Sequence, residues 1–340
     1  MCAIMRPRWA TTAFLATACL VALADGAFAQ PITRLVSFGD SLTDTGNVFG
    51  ATGSPGPPYY QGRFSNGPLW VERLAARLGV TAPTPSLTGG TNNAVGGAET
   101  GTGNSPQGSP NIRTQVSTWL AGQSPAASDL ITVWGGGWDF VNGQTNPAIP
   151  AANLAAAVTT LANAGGRRFL VPNLPQLGDL PYAQSFPPDQ RTALNAMTVT
   201  FNGQLNTALN QVQASNPGIQ VFQLDVDGLF QQIRANPGQY GFTNVTSGAL
   251  GDGVTSGLGY LFWDNFHPSA AGHQLIGDAA FAVVPEPSAL ALAGLAAALA
   301  LARTRRFGLT TVRSTSWAKA ETSGALRPTH GGVIDRATEP

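Results

Sequence analysis

The chain carries little charge of either sign. Only 11% of its 340 residues are charged, against about 25% in an average soluble protein. Lys plus Arg equals Asp plus Glu at 18 each, so no net field gathers phosphate backbones or anionic headgroups, and nucleic acid is not an expected partner. Lysine is almost missing. The single Lys319 lies near the C-terminus, which excludes Schiff-base chemistry and a Ser/Lys dyad from a folded domain upstream. Cysteine is confined to Cys2 and Cys19; a domain that begins after them has no thiol nucleophile, disulfide or thiolate metal site. The three histidines, His267, His273 and His330, are spaced unlike a zinc-ligand set, so neither a metal nor another cofactor is expected.

What is present begins with addresses at the two ends. Residues 1–29 open with Arg6 and Arg8, run apolar from Ala10 to Leu23 and end in Ala27-Phe28-Ala29, the layout of a secretory signal peptide. Near the other end, Val284-Pro285-Glu286-Pro287 leads into an Ala/Leu stretch and then Arg303, Arg305 and Arg306. That order over residues 285–306 resembles the PEP-CTERM sorting signal. The resemblance implies a sorting protease of the exosortase type as partner and transient membrane anchoring, with the Arg cluster on the cytoplasmic side. It also implies a place in the cell envelope or extracellular matrix. Such signals normally end soon after the Arg cluster, whereas residues 307–340 follow here as a polar, aperiodic tail expected to be disordered.

Residues 30–284 are expected to form one domain. Short apolar runs at 34–38, 130–134, 168–171 and 219–224 alternate with helical patterns at 68–78, 112–120, 151–164, 189–214 and 269–281, which argues for a parallel sheet covered by helices. Val71, Leu74, Ala75 and Leu78 recur at the spacing of one helical face. Gly/Pro/Ser/Thr-rich stretches at 50–58, 83–91, 100–110 and 243–259 read as surface loops, where binding sites are commonly assembled.

The first strand runs into Gly39-Asp40-Ser41-Leu42. A serine at the carboxyl end of a strand in an open α/β sheet faces the ligand crevice. Its hydroxyl becomes a nucleophile only with a base in hydrogen-bond reach. His330 lies beyond the sorting segment, and His273 falls inside the last helical pattern, where it reads as a packing residue. His267 stands in Asp264-Asn265-Phe266-His267-Pro268, just ahead of that pattern. An aspartate three residues before a histidine can accept from its Nδ1–H and stabilise the imidazolium. Ser41, Asp264 and His267 are therefore the candidate catalytic set.

These segments resemble the GDSL, or SGNH, hydrolases. Gly39-Asp40-Ser41-Leu42 matches the first block of that family and Asp264-x-x-His267 the last, with Gly62-Arg63-Phe64-Ser65-Asn66-Gly67-Pro68 and Asn93-Ala94-Val95-Gly96-Gly97-Ala98 resembling its lipase-type members. The resemblance implies a flavodoxin-like three-layer α/β/α sandwich with a mostly parallel sheet. It places the second-block glycine, whose backbone N–H faces the developing oxyanion, on Gly96, with Gly97 as the near alternative. The third block departs: where the family has Gly-x-Asn-Asp, this chain has Gly136-Gly137-Trp138-Asp139. Loss of one oxyanion donor typically costs about 100- to 1000-fold in turnover, so a weaker hydrolase, or one that positions its substrate differently, is expected.

The function expected from these residues is that of an exported serine esterase or lipase whose acyl-enzyme forms on Ser41, acting on a lipid or an acylated polysaccharide. The alternative is a matrix-associated binding protein that keeps the fold while Trp138 impairs catalysis. Tyr59, Tyr60, Phe64, Trp119, Trp134 and Trp138 are candidates for an acyl pocket, although scattered aromatics are more often core.

Overall fold

A computed structural model of the protein describes residues 30–284. The expected signal peptide, sorting segment and tail lie outside those residues. The first strand, β1 (Arg34–Gly39), pairs in parallel with β2 (Asp129–Trp134), which pairs with β3 (Arg168–Pro172), which pairs with β4 (Gln220–Leu224). Gly39 lies opposite Trp134. All residues of β2 and β3 are buried, which is why both read as near-continuous apolar runs rather than as alternating ones.

A fifth strand-like segment completes the sheet beyond β1. Asn92 bridges Ser37 in parallel. The Ser37 N–H donates to Thr91 O at 3.0 Å, Asn93 N–H to Ser37 O at 2.7 Å and Val95 N–H to Gly39 O at 3.0 Å. After this segment the chain returns through α3 (Ile112–Leu120) to β2 on the other side of β1. The direction of winding thus reverses at β1, and the crevice beyond its carboxyl end is the switch point where ligands of open α/β sheets bind.

Helices complete the outer layers. Before α3 come the short α1 (Asn47–Thr52) and α2 (Trp70–Leu78). After β2 come α4 (Gly137–Val141) and α5 (Ala148–Asn163), and α6 (Pro188–Ser215) connects β3 to β4. Then follow α7 (Val226–Ala235), two short parallel strands β5 (Asn244–Gly248) and β6 (Tyr260–Phe262), and α8 (Ala270–Val283). α2 packs on α8, and α3 packs on α5, which packs on α6. The sheet lies between these groups, giving the mostly parallel α/β/α sandwich. One apolar core joins Leu35, Val36 and Phe38 to residues such as Trp70, Leu74, Ile112, Leu130, Phe169 and Ile276, each worth about 1.5–3 kcal/mol of burial. The last helix begins at Ala270 with Ser269 as its cap, the Ser269 hydroxyl accepting from the Gly272 N–H. Pro268 therefore stands just ahead of the cap, outside the helix.

Candidate active site

The end of β1 is fixed from the side. Gln115, buried on α3, accepts the Gly39 N–H at 3.0 Å and donates to Gly39 O at 2.9 Å. A Cβ on Gly39 would stand 2.5 Å from the Trp134 carbonyl oxygen, so only glycine lets β1 and β2 close at this point. The chain then turns at Asp40, whose carbonyl accepts the Thr43 and Asp44 N–H groups while its carboxylate accepts the Leu42 N–H. Ser41 sits at the head of this turn, 4% exposed. Its own N–H makes no hydrogen bond among the described residues.

The segment after β6 supplies the partners. Asp264 Oδ1 accepts the backbone N–H groups of Phe266 and His267, both at 2.9 Å, an Asx turn that curls the chain back. The imidazole is thereby set beside the same carboxylate, with Nδ1 at 2.8 Å from both Oδ1 and Oδ2. Its Nε2 lies 2.8 Å from Ser41 Oγ, across 226 residues of sequence. The structure thus brings Ser41, His267 and Asp264 together in the order the sequence spacing suggests. Burial alone would raise the Asp264 carboxyl, but the His267 charge and the hydrogen bonds it receives hold it below the usual carboxylate range. His273 takes no part: it is fully buried on α8, its Nδ1 accepts the Trp70 N–H at 3.2 Å, and burial pushes it down to about 3, so it stays neutral.

A narrow apolar cleft of about 50 Å³, open at its mouth, leads away from Ser41 and His267. Its walls include Trp134, Trp138, Leu174, Leu177, Phe230 and Phe262, contributed by the carboxyl ends of β2, β3 and β6 and by α4 and α7. Two carboxyl groups lie close by. Burial pushes Asp40 up to about 7, against the opposing Leu42 N–H and the charge of His267. Asp139 is pushed up to about 6 by burial despite accepting the Thr100 N–H and hydroxyl.

The sequence between β1 and the last helix, residues 35–280, matches the GDSL-like Lipase/Acylhydrolase family. The chain belongs to this family. A second match covers residues 283–306, as a PEP-CTERM protein-sorting motif, which marks the protein for export and sorting. Among curated relatives, the phosphatidylcholine-sterol acyltransferase of Aeromonas hydrophila is 30% identical over 233 residues, 64% of this chain and 66% of that protein. A GDSL esterase/lipase of Arabidopsis thaliana is 27% identical over 304 residues, 70% of this chain and 84% of that protein. The thermolabile hemolysin of Vibrio parahaemolyticus is 26% identical over 273 residues, 73% of this chain and 62% of that protein. A solved structure of a lipolytic G-D-S-L family member from Veillonella parvula covers 73% of this chain and 96% of its own, with 18% identity and a TM-score of 0.44. The chain thus spans just under two thirds of the A. hydrophila and V. parahaemolyticus relatives.

Against the GDSL pattern, two blocks need a different account. The Gly96 N–H does not lie free for an oxyanion: it donates to Asp44 Oδ2 at 3.0 Å. Glycine is required there for packing, since a Cβ would come within 2.7 Å of the Phe64 ring, and that ring lies on His267 with centroids 5.2 Å apart. Gly97, the alternative, adopts a left-handed φ of 83°. In the third block, Trp138 stands in the first turn of α4 and lines the cleft with Ser41 and His267. Its ring lies against Phe266, centroids 5.7 Å apart, and its indole N–H makes no hydrogen bond among the described residues.

Of the aromatics considered for the pocket, Trp134 and Trp138 line it. Trp119 is core, edge-on to Phe38, Tyr60 faces the Arg63 guanidinium, and Phe64 covers His267. Tyr59 donates its hydroxyl to Asp264 Oδ2 at 2.9 Å, a contact that no local pattern announces. Among the described residues no group of His, Cys, Asp and Glu is arranged to hold a metal ion, and no helix is long and apolar enough to cross a membrane.

Proposed function

We propose that this GDSL-family protein hydrolyses carboxylic esters outside the cytoplasm through an acyl-enzyme on Ser41. The observation that carries the reading is the 2.8 Å approach of His267 Nε2 to Ser41 Oγ while Asp264 occupies the other ring nitrogen. His267 takes the Ser41 proton as Oγ attacks the ester carbonyl, and the imidazolium is stabilised by Asp264. The ring then returns the proton to the leaving alcohol, and water attacks the acyl-enzyme with His267 again as base. The Ser41 N–H and the Trp138 indole N–H are the donors proposed for the oxyanion. The acyl chain takes the apolar cleft between Leu174, Leu177 and Phe230, which favours lipid-like esters over acetyl groups on polysaccharide.

The domain spans residues 30–284, behind a signal peptide at 1–29. An exosortase-type protease handles residues 285–306 after transient membrane anchoring, and residues 307–340 form a polar tail. The binding-protein reading draws on Trp138, but a fully assembled Ser–His–Asp contact has no purpose in a binder. A fluorophosphonate probe tests the proposal. Labelling of the wild-type protein that disappears in Ser41→Ala is expected; an unlabelled wild type sinks the catalytic reading.

A further inference from the structure

Asp264 is held by more than the histidine it serves. Oδ1 is occupied by the Phe266 and His267 backbone N–H groups, and rotation of the carboxylate is opposed at Oδ2 by the Tyr59 hydroxyl, 2.9 Å away and 205 residues distant in sequence. The Tyr59 ring is itself fixed edge-on against buried Trp263, with centroids 6.0 Å apart at 88°. Its loop is tied to the segment that carries the histidine. The Tyr60 N–H donates to Ser65 O at 2.8 Å, the Ser65 hydroxyl to Pro268 O at 2.9 Å, and the Ala270 N–H to Asn66 Oδ1 at 2.7 Å. Phe64 covers the imidazole face. Residues 59–66 therefore clasp the 264–270 turn from both sides, which gives the Gly62–Pro68 motif a purpose beyond its resemblance to lipase-type relatives.

We propose that Tyr59 is a positioning residue of this hydrolase, a fourth member of the relay that acts on Ser41 only through Asp264 and His267. The inference rests on the nucleophile assignment above. A donor on Oδ2, which the ring Nδ1 also approaches to 2.8 Å, keeps the carboxylate ionised and turned toward the imidazole while the ring gains the serine proton. The phenol remains a donor throughout the working range, because burial and the adjacent Asp264 charge raise its ionisation well above the ordinary tyrosine value. Of the other titratable groups that face the Asp264–His267 pair, Asp40 from the nucleophile turn feels the His267 charge and His273 from α8 stays neutral; both stay in place when Tyr59 alone is changed.

The test uses the full chain with Tyr59→Phe, which removes the hydroxyl and keeps the ring against Trp263. The rate of fluorophosphonate labelling and kcat on a chromogenic ester are expected to fall about 10- to 100-fold with KM unchanged. The acidic limb of the labelling-rate profile is expected to move to higher pH, since an unsupported carboxylate protonates more readily and holds the imidazolium more tightly. In an Asp264→Asn background the same change is expected to add almost nothing, because the two residues act as one unit. Equal labelling rates and an unmoved limb in Tyr59→Phe overturn the proposal. So does a full loss that persists on top of Asp264→Asn, since that marks a general structural effect. An unlabelled wild type removes the nucleophile assignment itself, which separates that failure from failure of the Tyr59 role.

Discussion

Asp44 and Gly96 are joined across 52 residues by a hydrogen bond of 3.0 Å from the glycine N–H to Asp44 Oδ2. The same carboxylate accepts the N–H groups of Gly46, Asn47 and Val48, so it starts α1 and ties it to the strand-like segment at 91–95. Burial raises the Asp44 carboxyl and these amides pull it back. No cation among the described residues pairs with it; its charge is met by backbone dipoles.

Removing that acceptor strands several buried donors at once. Asp44→Ala is expected to cost about 4 kcal/mol, since each orphaned buried N–H carries a penalty of about 1–3 kcal/mol that the backbone partly relaxes. Asp44→Asn, which keeps one carbonyl oxygen, is expected to cost less than half as much. Urea midpoints for the two variants check this, and equal midpoints would show that the amides find water instead.

Asp40 gives a pH dependence of definite sign. Its folded value, about 7, stands above the ordinary aspartate value of 3.8, and Asp139 behaves likewise at about 6. A group raised on folding stabilises fully below its unfolded value, and that contribution is lost as pH rises through the folded one. Stability from these two carboxyls is therefore expected to fall between about pH 4 and about pH 7. Asp264 is lowered on folding, so its contribution has the opposite sense and is lost only as pH falls into the acid range. Asp40→Asn, which stays neutral and can still accept the Leu42 N–H, is expected to raise Tm at about pH 8 more than at about pH 5. A pH-independent change in Tm would contradict this.

Strands β1, β2 and β3 were legible because each is buried on both faces, whereas β4 is mostly half-buried and showed only as the short run at 219–224. Leu130 to Val133 and Phe169 to Val171 leave no polar alternation to confuse the pattern. The edge segment at 91–95 was not legible: Thr91-Asn92-Asn93 lacks the apolar signature of a strand, and its pairing rests on side chains such as Asn92, whose amide donates to Thr43 O at 2.7 Å. Helix α7 was also missed, because Gly228 in its first turn reads as a breaker although Asp225 caps that turn. β5 lies wholly within the stretch from 243 to 259 that reads as loop, and β6 adjoins its end. At the site, Ser41, Asp264 and His267 could be picked out because chemistry restricts which residues can attack and relay a proton. Gly96 was picked out as a required glycine, but the Phe64 ring that excludes a Cβ there is a tertiary neighbour that no local pattern shows. Tyr59 offered no signal at all, because its partner lies at the other end of the chain.

Trp138 is the residue at which this chain leaves the GDSL pattern, and reverting it should be informative. Trp138→Asn places a side-chain amide where relatives of the family are expected to carry an oxyanion donor. A gain in kcat of about tenfold or more on a short ester is expected, bounded by the roughly 100- to 1000-fold that one such donor supplies. The change also removes the Phe266 contact, so a loss of about 1 kcal/mol in stability should accompany it. No change in kcat, or a decrease, would indicate that the proposed indole N–H donor serves the oxyanion at least as well as the amide would.

The shape of the cleft sets an expectation for chain length. Leu174, Leu177, Val226, Phe230 and Phe262 surround the space leading from Ser41, and nothing charged other than Asp40 and His267 lines it. Each added methylene that enters such a wall should contribute about 0.8 kcal/mol, or about fourfold in kcat/KM, until the pocket is full. A p-nitrophenyl ester series is therefore expected to rise from acetate, pass through a maximum at intermediate length and decline. Leu177→Trp fills part of that space, so the maximum should move to shorter chains while the fluorophosphonate labelling rate stays near wild type. A flat series, or a maximum already at acetate, would place the acyl group elsewhere and make this cleft the seat of the alcohol portion instead.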